Sequence, residues 1–353
     1  MNDGLFYKDK PIFGLDIGFS SAKVMQIKNH NGKRIVSGYG ITRFDKEAVK
    51  EGEIVDPENI AKSLHELFKS QLIGDITTRR TALAIPAAKT FSRTVELPEV
   101  NDKELAEAVR MEAEQYIPVA LEDLYIDYEI ISKKDKKVEL LVAATPRKIV
   151  DSYLTLARLV NLDVVCIETT ISSSSRLFLQ AEASEVPTVI IDFGSISSDI
   201  TIFDKKLVVT GTVMGGGDNF TEFISQKLGV NMQEAGIIKT KYGLGLSKKQ
   251  KEITESMNPV LEQLIKEIKR MIRYYEERIG TQNKIGQIVT MGGGANMPGL
   301  SDYLTNSLRI PVRMCDPWQK LDFAGLQPPN TTEKSMYITA AGLALINPKE
   351  IYS

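Results

Sequence analysis

Apolar and polar residues recur in the same order in two distant stretches of the chain. Each stretch predicts an apolar strand ending in Asp-x-Gly, a turn of small polar residues, a second strand, a hairpin turn and a third strand. The predicted strands are Pro11–Ile17, Lys23–Lys28 and Arg34–Phe44 in the first stretch, and Thr188–Ile191, Asp199–Phe203 and Leu207–Met214 in the second. The matched order indicates an internal duplication, so we predict two similar α/β lobes with a cleft between them.

A helix and a further apolar strand follow each triplet of strands. The helices are predicted near Pro57–Leu72 and Asp218–Leu228, and the strands at Thr81–Ile85 and Gln287–Met291. The repeat thus covers a whole lobe and not one hairpin.

Two insertions interrupt the repeat. Residues 91–160 predict a β-α-β-β-α unit that can bury a small core of its own. Residues 230–285 are mostly helical and include a long amphipathic helix over Pro259–Ile279. We interpret the lysines near residues 247–251 as part of a solvated loop.

Two helices rich in small residues are predicted between the lobes. They cover Thr169–Phe178 and Thr339–Ile346, and their small side chains allow two helices to cross at close range. We therefore place the hinge at these helices. The predicted domains are the first-lobe core at 1–90, 161–185 and 320–353, the inserted unit at 91–160, the second-lobe core at 186–229 and 286–319, and the helical unit at 230–285.

Composition narrows the classes of partner and compartment. The 353-residue chain has a formal net charge of -2, so no basic excess points to nucleic acid. Two isolated cysteines and two isolated histidines exclude a zinc site and a disulfide framework and favour a reducing cytoplasm. The N-terminus has no signal-peptide pattern, and no apolar stretch is long enough to cross a bilayer. We therefore expect any membrane association to go through a partner or a surface.

The two Asp-x-Gly turns are the strongest chemical signal. Asp16 and Asp192 end matched strands, and carboxylate oxygens suit a hydrated Mg²⁺ ion. Glycine in such a turn lets backbone N–H groups approach phosphate oxygens. The candidate phosphate-binding residues in these turns are Gly18, Ser20, Ser21 and Lys23 in the first lobe and Gly194, Ser195 and Ser197 in the second.

Two further glycine clusters each join a strand to a helix. They are Gly215, Gly216 and Gly217 in one loop and Gly292, Gly293, Gly294 and Asn296 in the other. A helix N-terminus behind a glycine loop favours an anionic ligand, although either cluster alone could be only a close strand-to-helix turn. No GxxxxGK[ST] motif occurs, so the site is not a P-loop.

These motifs resemble those of the actin, heat-shock chaperone and sugar kinase superfamily. The first phosphate motif is similar to residues 14–24, the second to 189–203 and the adenosine motif to 288–300. The resemblance implies an actin-like fold built from duplicated ribonuclease H-like lobes, with ATP and Mg²⁺ bound between them. It also implies that Lys239 contacts the nucleotide, with Gly236 at the place where the family usually has a ribose-binding Glu.

Residues 91–130 and 274–300 narrow the resemblance to the family of the type IV pilus assembly protein PilM. In that family the insertion is the 1C subdomain, beside 1A in the first lobe, with 2A and 2B in the second. The resemblance implies a cytoplasmic ATP-binding scaffold of the pilus, or of a related type II secretion system. It implies docking of the N-terminal cytoplasmic segment of a PilN-like inner-membrane protein at the groove between 1A and 1C. The assembly ATPase is a further expected partner, and the expected location is the cytoplasmic side of the inner membrane.

Two alternative functions remain open at the sequence level. One is an FtsA-like membrane tether that polymerises, which is disfavoured because no amphipathic helix follows residue 346. The other is a sugar or acid kinase, which lacks a convincing acceptor site. Hydrolysis is expected to be slow at most, with Asp16 and Asp192 as the catalytic candidates. Glu168 could orient a water molecule or cap the helix that follows it.

Overall fold

The computed structural model describes residues 10–181, 186–278 and 284–351. The predicted first-lobe core extends beyond these residues at both chain ends and at 182–185. Ile279, the last residue of the predicted long helix, also lies outside the described residues.

The first lobe begins with a three-stranded meander that continues into a helix. Strands β1 (Phe13–Ile17), β2 (Ser21–His30) and β3 (Lys33–Arg43) pair antiparallel in sequence order. The short strands that follow are β4 (Val49–Lys50), β5 (Glu53–Ile54) and β6 (Ile73–Gly74), and β7 (Arg80–Ile85) pairs parallel to β1. Helix α1 (Pro57–Glu66) carries Asp56 as its N-cap and ends in a π-helical turn at Leu67–Gln71.

The insertion forms a small three-stranded sheet with one helix on it. Its strands β8 (Phe91–Pro98), β9 (Leu124–Lys134) and β10 (Lys137–Pro146) lie in the order β8-β10-β9, and α2 (Asp102–Glu114) packs on one face. The side chain of Asn101 accepts from the Glu104 N–H and caps α2.

The final helix of the predicted inserted unit packs elsewhere. Helix α3 (Arg147–Leu159) buries Ile149, Tyr153 and Leu156 in the first-lobe core with α1, β1 and β7. The insertion's own core therefore comes from β8, β9, β10 and α2. The predicted boundary at 160 lies too late by one helix, because the apolar face of α3 matches the larger core.

Strand β11 (Asp163–Thr169) completes the first-lobe sheet, whose order is β11-β7-β1-β2-β3-β6. The prediction missed β11, because its residues alternate only weakly before the helix. Helix α4 (Thr170–Ala181) follows directly.

The second lobe repeats the meander. Strands β12 (Thr188–Phe193), β13 (Ser197–Asp204) and β14 (Lys206–Met214) pair antiparallel, and β15 (Gln287–Met291) lies parallel to β12. Helices α5 (Gly217–Leu228), α6 (Met232–Lys241) and α7 (Gln250–Arg278) follow β14, and α8 (Leu300–Leu308) leads to β16 (Val312–Met314). The sheet order is β14-β13-β12-β15-β16.

Helix α7 begins nine residues before the predicted start at Pro259, which lies inside the helix. The buried Ile253 and Met257 extend the apolar face of the helix toward its N-terminus, and this burial outweighs the usual preference of proline for a first turn.

The chain ends with α9 (Thr331–Lys334), α10 (Ile338–Ala344) and α11 (Pro348–Ile351). Helices α4 and α10 cross at close range: a Cβ on Gly342 of α10 would overlap the carbonyl oxygen of Ser173 on α4. The predicted close crossing between the lobes is therefore confirmed.

Candidate functional site

A buried ion pair marks the first Asp-x-Gly turn. Asp16 on β1 lies directly opposite Lys23 on β2, and the Lys23 Nζ is 3.1 Å from Asp16 Oδ2. Both residues are more than nine-tenths buried. The antiparallel register thus fixes a carboxylate and a cation at the cleft end of the first-lobe sheet.

The second Asp-x-Gly turn has the same backbone arrangement with a different charge. Asp192 on β12 lies opposite Asp199 on β13, so an aspartate occupies the position that Lys23 has in the first lobe. Burial, Asp199 and Asp16 together raise the pKa of Asp192 to about 7, and Lys23 opposes this rise. Asp16, Lys23 and Asp192 therefore form one charge cluster that draws on both lobes.

Sequence reasoning missed Asp199. Its carboxylate accepts from Thr212 Oγ1 at 2.7 Å and from Thr170 Oγ1 at 3.0 Å, while burial raises its pKa. Thr170 is the first residue of α4, so this contact ties β13 to the hinge helix. The signal was present, because Asp199 stands seven residues after Asp192 just as Lys23 stands seven after Asp16.

The glycine loop before α5 packs on the second Asp-x-Gly turn. The Gly217 N–H donates to the Gly194 carbonyl at 3.0 Å, and the Asp218 N–H donates to the Ser195 carbonyl at 2.7 Å. A Cβ on Gly216 would lie 2.5 Å from the Gly194 oxygen. Gly216 thus allows close packing of two loops, and these two N–H groups are already used within the protein.

The glycine loop after β15 has one open position. A Cβ on Gly292 or Gly294 would collide with Asp192 or Phe193, whereas one on Gly293 would meet only the Met336 side chain, at 3.7 Å. Asn296 Nδ2 donates to Ser335 Oγ at 2.5 Å and joins this loop to the segment that leads into α10.

Lys239 links two helices of the second lobe. Its Nζ donates to the Gly217 carbonyl at 2.6 Å and to Thr221 Oγ1 at 2.8 Å. Burial lowers its pKa, and the neighbouring Asp218 opposes this shift. Gly236, one turn earlier on α6, has open space: a Cβ there would meet only Thr221 Cγ2, at 3.9 Å.

Glu168 lies at the end of β11 and is held by a bidentate ion pair. Arg176 NH1 and NH2 lie 2.5 and 2.6 Å from its two oxygens. The hydroxyl of Thr169 accepts the Ser172 N–H, so Thr169 takes the capping role considered for Glu168.

The residues present fit a nucleotide with a hydrated divalent cation. Asp16 and Asp192 supply carboxylate oxygens, and the raised pKa of Asp192 marks a place where an added positive charge would be favourable. The buried Tyr153 hydroxyl, which has no partner among the described residues, is near enough for Asp16 to raise its pKa further. Ser20, Ser21, Ser195 and Ser197 lie in the two turns that flank this cluster.

A cavity of about 220 Å³ lies where the insertion, the hinge and the second lobe meet. Its walls come from the segment that leads into the insertion (Ala87, Ala88, Thr90), from Ser92 on β8 and Leu141 on β10, from the β11–α4 junction and from β14. Just beyond it, Lys206 of β14 lies 2.6 Å from Glu139 of β10. The insertion thus contacts the second lobe as well as the first.

Membrane-spanning helices and clustered metal ligands are both missing from the described residues. No helix among them is both long and apolar enough to cross a membrane. They also contain no group of three or more His, Cys, Asp or Glu residues that could hold a metal ion.

Solved structures similar to this chain share the predicted fold. The structure of a PilM-PilN type IV pilus biogenesis complex matches with a TM-score of 0.82, at 23% identity, over 95% of this chain and 98% of that one. MreB 5 of Spiroplasma citri bound to AMPPNP matches with a TM-score of 0.54, at 14% identity, over 95% of each chain. The predicted actin-like fold is therefore confirmed.

Comparison of whole sequences finds cell division proteins, whereas a family model identifies a pilus assembly family. Cell division protein FtsA of Streptococcus pneumoniae is 23% identical over 349 residues, which cover 87% of this chain and 75% of that protein. The model of the type IV pilus assembly protein PilM family matches residues 14–347 and thus favours the predicted pilus family over the FtsA-like alternative. Because the match covers nearly the whole chain, the chain belongs to the PilM family of type IV pilus assembly proteins.

Proposed function

We propose that the protein is an ATP-binding scaffold of a type IV pilus assembly complex. The observation that carries this proposal is the charge cluster of Asp16, Lys23 and Asp192, contributed by matched turns of the two lobes. MreB 5 of Spiroplasma citri, which shares the fold, binds the nucleotide AMPPNP and so supports a nucleotide as the ligand. Family membership supplies the pilus context.

In this proposal Asp16 and Asp192 hold a hydrated Mg²⁺ ion, which neutralises phosphate charge when bound. Lys23 offsets the charge of Asp16 and lies next to Gly18. A Cβ at Gly18 would come within 3.2 Å of the Lys23 Nζ, so glycine leaves room for this ammonium group. Gly293 leaves space for the adenosine part of the ligand. Lys239 and Asp218 form the wall of the cleft on the second lobe.

Two variants and one control test the nucleotide site. Asp16→Asn and Gly293→Asp should each lower ATP affinity by at least about tenfold, because the first removes the carboxylate proposed to hold Mg²⁺ and the second adds a negative charge to the proposed adenosine position. Gly293→Ala should leave the fold intact and affinity little changed, since its Cβ has room. Calorimetric titration with ATP and Mg²⁺ measures all three. Unchanged affinity in both Asp16→Asn and Gly293→Asp would refute the site.

We propose that Glu168 positions the hinge and that turnover is slow. Arg176 engages both Glu168 oxygens and also donates to the Gly342 carbonyl at 3.2 Å, so one ion pair spans β11, α4 and α10. Glu168→Gln should therefore destabilise the fold more than it changes any ATPase rate. Thermal melting and phosphate release distinguish the two effects.

We propose that a PilN-like inner-membrane protein docks its N-terminal cytoplasmic segment beside the insertion, which would hold this protein at the cytoplasmic face of the inner membrane. A similar solved structure is that of a PilM-PilN complex. The cavity at the edge of β8 supports the placement, because an extended segment can pair with a sheet edge while its side chains enter pockets. Contact with the assembly ATPase belongs to the same scaffold role.

A matched pair of variants tests the docking site. Leu141 lines the cavity, whereas Ile130 on β9 is 41% exposed and does not. Leu141→Asp should weaken binding of the partner segment at least about tenfold, since it replaces one of the apolar side chains that line the cavity with a charge that binding would have to bury. Ile130→Asp should leave binding unchanged. A fluorescence titration in which both variants bind like wild type would refute this placement without touching the nucleotide site.

A further inference from the structure

The most exposed large hydrophobic side chain of the described residues lies on the second lobe, outside the Asp-x-Gly turns and the glycine loops. Leu246, in the loop between α6 and α7, is 95% exposed. Nearby in the chain, Tyr242 is 38% exposed and the Lys241 ammonium lies over its ring. Single exposed apolar side chains are common on protein surfaces, but this one lies in an anchored loop beside a cluster of lysines.

The loop that carries Leu246 is anchored at its base. The Leu244 N–H donates to the Pro298 carbonyl at 2.8 Å, and Leu244 itself is buried in the second-lobe core. Gln250 Nε2 closes the loop by donating to the Leu244 carbonyl at 2.8 Å. The fold therefore presents Leu246 at the tip of a fixed turn.

The charges within the loop and the helix end that leads into it have a single sign. Residues 235–251 contain five lysines and neither Asp nor Glu. Lys239 is used inside the second lobe, but Lys248, Lys249 and Lys251 are exposed and form no ion pair with any described residue. A clustered positive charge beside one protruding apolar side chain complements an anionic, deformable apolar surface.

We propose that this loop binds directly to the surface of an anionic lipid bilayer, with Leu246 entering the headgroup region and the lysines facing lipid phosphates. A bilayer accepts a single inserted side chain, whereas a protein interface needs a larger contiguous surface. Protein interfaces are also depleted in Lys and enriched in Arg, and residues 235–251 contain no Arg. The contact is independent of any partner segment and of nucleotide.

Vesicle sedimentation of the full chain tests the proposal, with neither nucleotide nor partner present. The protein should sediment with vesicles of equimolar phosphatidylcholine and phosphatidylglycerol at low salt, and not with pure phosphatidylcholine. Replacing Lys248, Lys249 and Lys251 with Ala should lower the affinity about a hundredfold, because each lysine near an anionic surface contributes about fivefold. Leu246→Ser should lower it about tenfold.

Controls of equal charge and polarity lie on the insertion. Replacing the exposed Lys133, Lys134 and Lys136 with Ala removes the same charge from another turn, and Met111→Ser removes another exposed apolar side chain. Both controls should bind vesicles like wild type. Equal loss in the control and loop variants would overturn the proposal, because it would show only a general effect of net charge.

A direct readout of insertion comes from Leu246→Trp. The fluorescence of the introduced tryptophan should shift to shorter wavelength on anionic vesicles, against the constant signal of the buried Trp318. Wild-type protein that stays in solution with anionic vesicles at low salt, together with an unshifted signal from the introduced tryptophan, would overturn the proposal and leave an acidic protein surface as the class of partner for this loop.

Discussion

Asp192 is the residue whose chemistry depends most on its surroundings. It lies opposite Asp199 in the antiparallel register, and the charges of Asp199 and Asp16 both disfavour its ionised form, while Lys23 is the cation that opposes them. Burial and repulsion favour the protonated form of Asp192 and raise its pKa to about 7. In the absence of a cation the cluster is therefore destabilised wherever Asp192 is forced to ionise.

This shift predicts how stability depends on pH. Asp192 has a folded-state pKa of about 7, and an unfolded Asp has a pKa of about 3.9. Between these values the unfolded state releases the proton first, so the free energy of unfolding falls as pH rises, by at most about 1.4 kcal/mol per pH unit. Asp192→Asn cannot titrate and should show a flatter profile between about pH 4 and 7.

Urea unfolding of both proteins across this window measures the difference in slope. Asp302→Asn, at an exposed position on α8, is the matched control and should keep the wild-type slope. Parallel profiles for wild type and Asp192→Asn would show that water or a neighbouring group relieves the repulsion.

The aspartates of the charge cluster could be predicted from the sequence, but the residues that lie opposite them on the neighbouring strands could not. Asp16 and Asp192 could be found because each ends an apolar strand before a glycine. The opposite partners Lys23 and Asp199 depend on register, which only the paired strands fix. Lys23 was proposed as a cation near phosphate without its ion pair, and Asp199 was not singled out.

At the scale of elements, glycine has different roles in two helices. Gly342 in α10 lies where α10 crosses α4, and a Cβ there would overlap the Ser173 oxygen. Gly236 in α6 faces open space. The small-residue pattern of the hinge helices predicted the crossing, because only small side chains permit it, whereas nothing in the sequence of α6 distinguishes an unpacked glycine from a packed one.

The same substitution should therefore have opposite effects at the two sites. Gly236→Ala should raise the free energy of unfolding by about 0.5–1 kcal/mol, because alanine loses less backbone entropy in a helix. Gly342→Ala should lower it by about 1–3 kcal/mol, because the two hinge helices must move apart. Denaturant unfolding compares the two variants, and a stabilised Gly342→Ala protein would mean that the helices are not in close contact in solution.

At the scale of the whole molecule, three contacts among the described residues hold the parts around the cleft together. Helices α4 and α10 cross at its base, Thr170 donates to Asp199 beside them, and Lys206 of β14 pairs with Glu139 of the insertion. The sequence predicted two lobes and an insertion, but it placed α3 in the insertion and gave no sign of the Lys206–Glu139 contact. That contact joins segments 67 residues apart, and a local pattern does not encode it.

The Lys206–Glu139 pair predicts a link between the insertion and the cleft. A ligand bound between the lobes and an ion pair that spans them stabilise the same arrangement, so loss of the pair should weaken the ligand. Since Lys206 is 45% exposed, the effect should be small. Glu139→Gln should lower ATP affinity about two- to fivefold at low salt, and the difference should disappear at high salt.

The matched control for this prediction is the Lys137–Glu96 pair, 2.5 Å apart and contained within the insertion. Glu96→Gln removes the same charge from the same subdomain but breaks no contact with the second lobe, so it should leave ATP affinity unchanged. Calorimetric titration of wild type and both variants with ATP distinguishes the two possibilities. Equal effects of Glu139→Gln and Glu96→Gln would mean that the insertion influences the cleft only through its net charge. An effect confined to Glu139→Gln would identify β14 as the element that connects the insertion, where the partner is proposed to dock, to the nucleotide site.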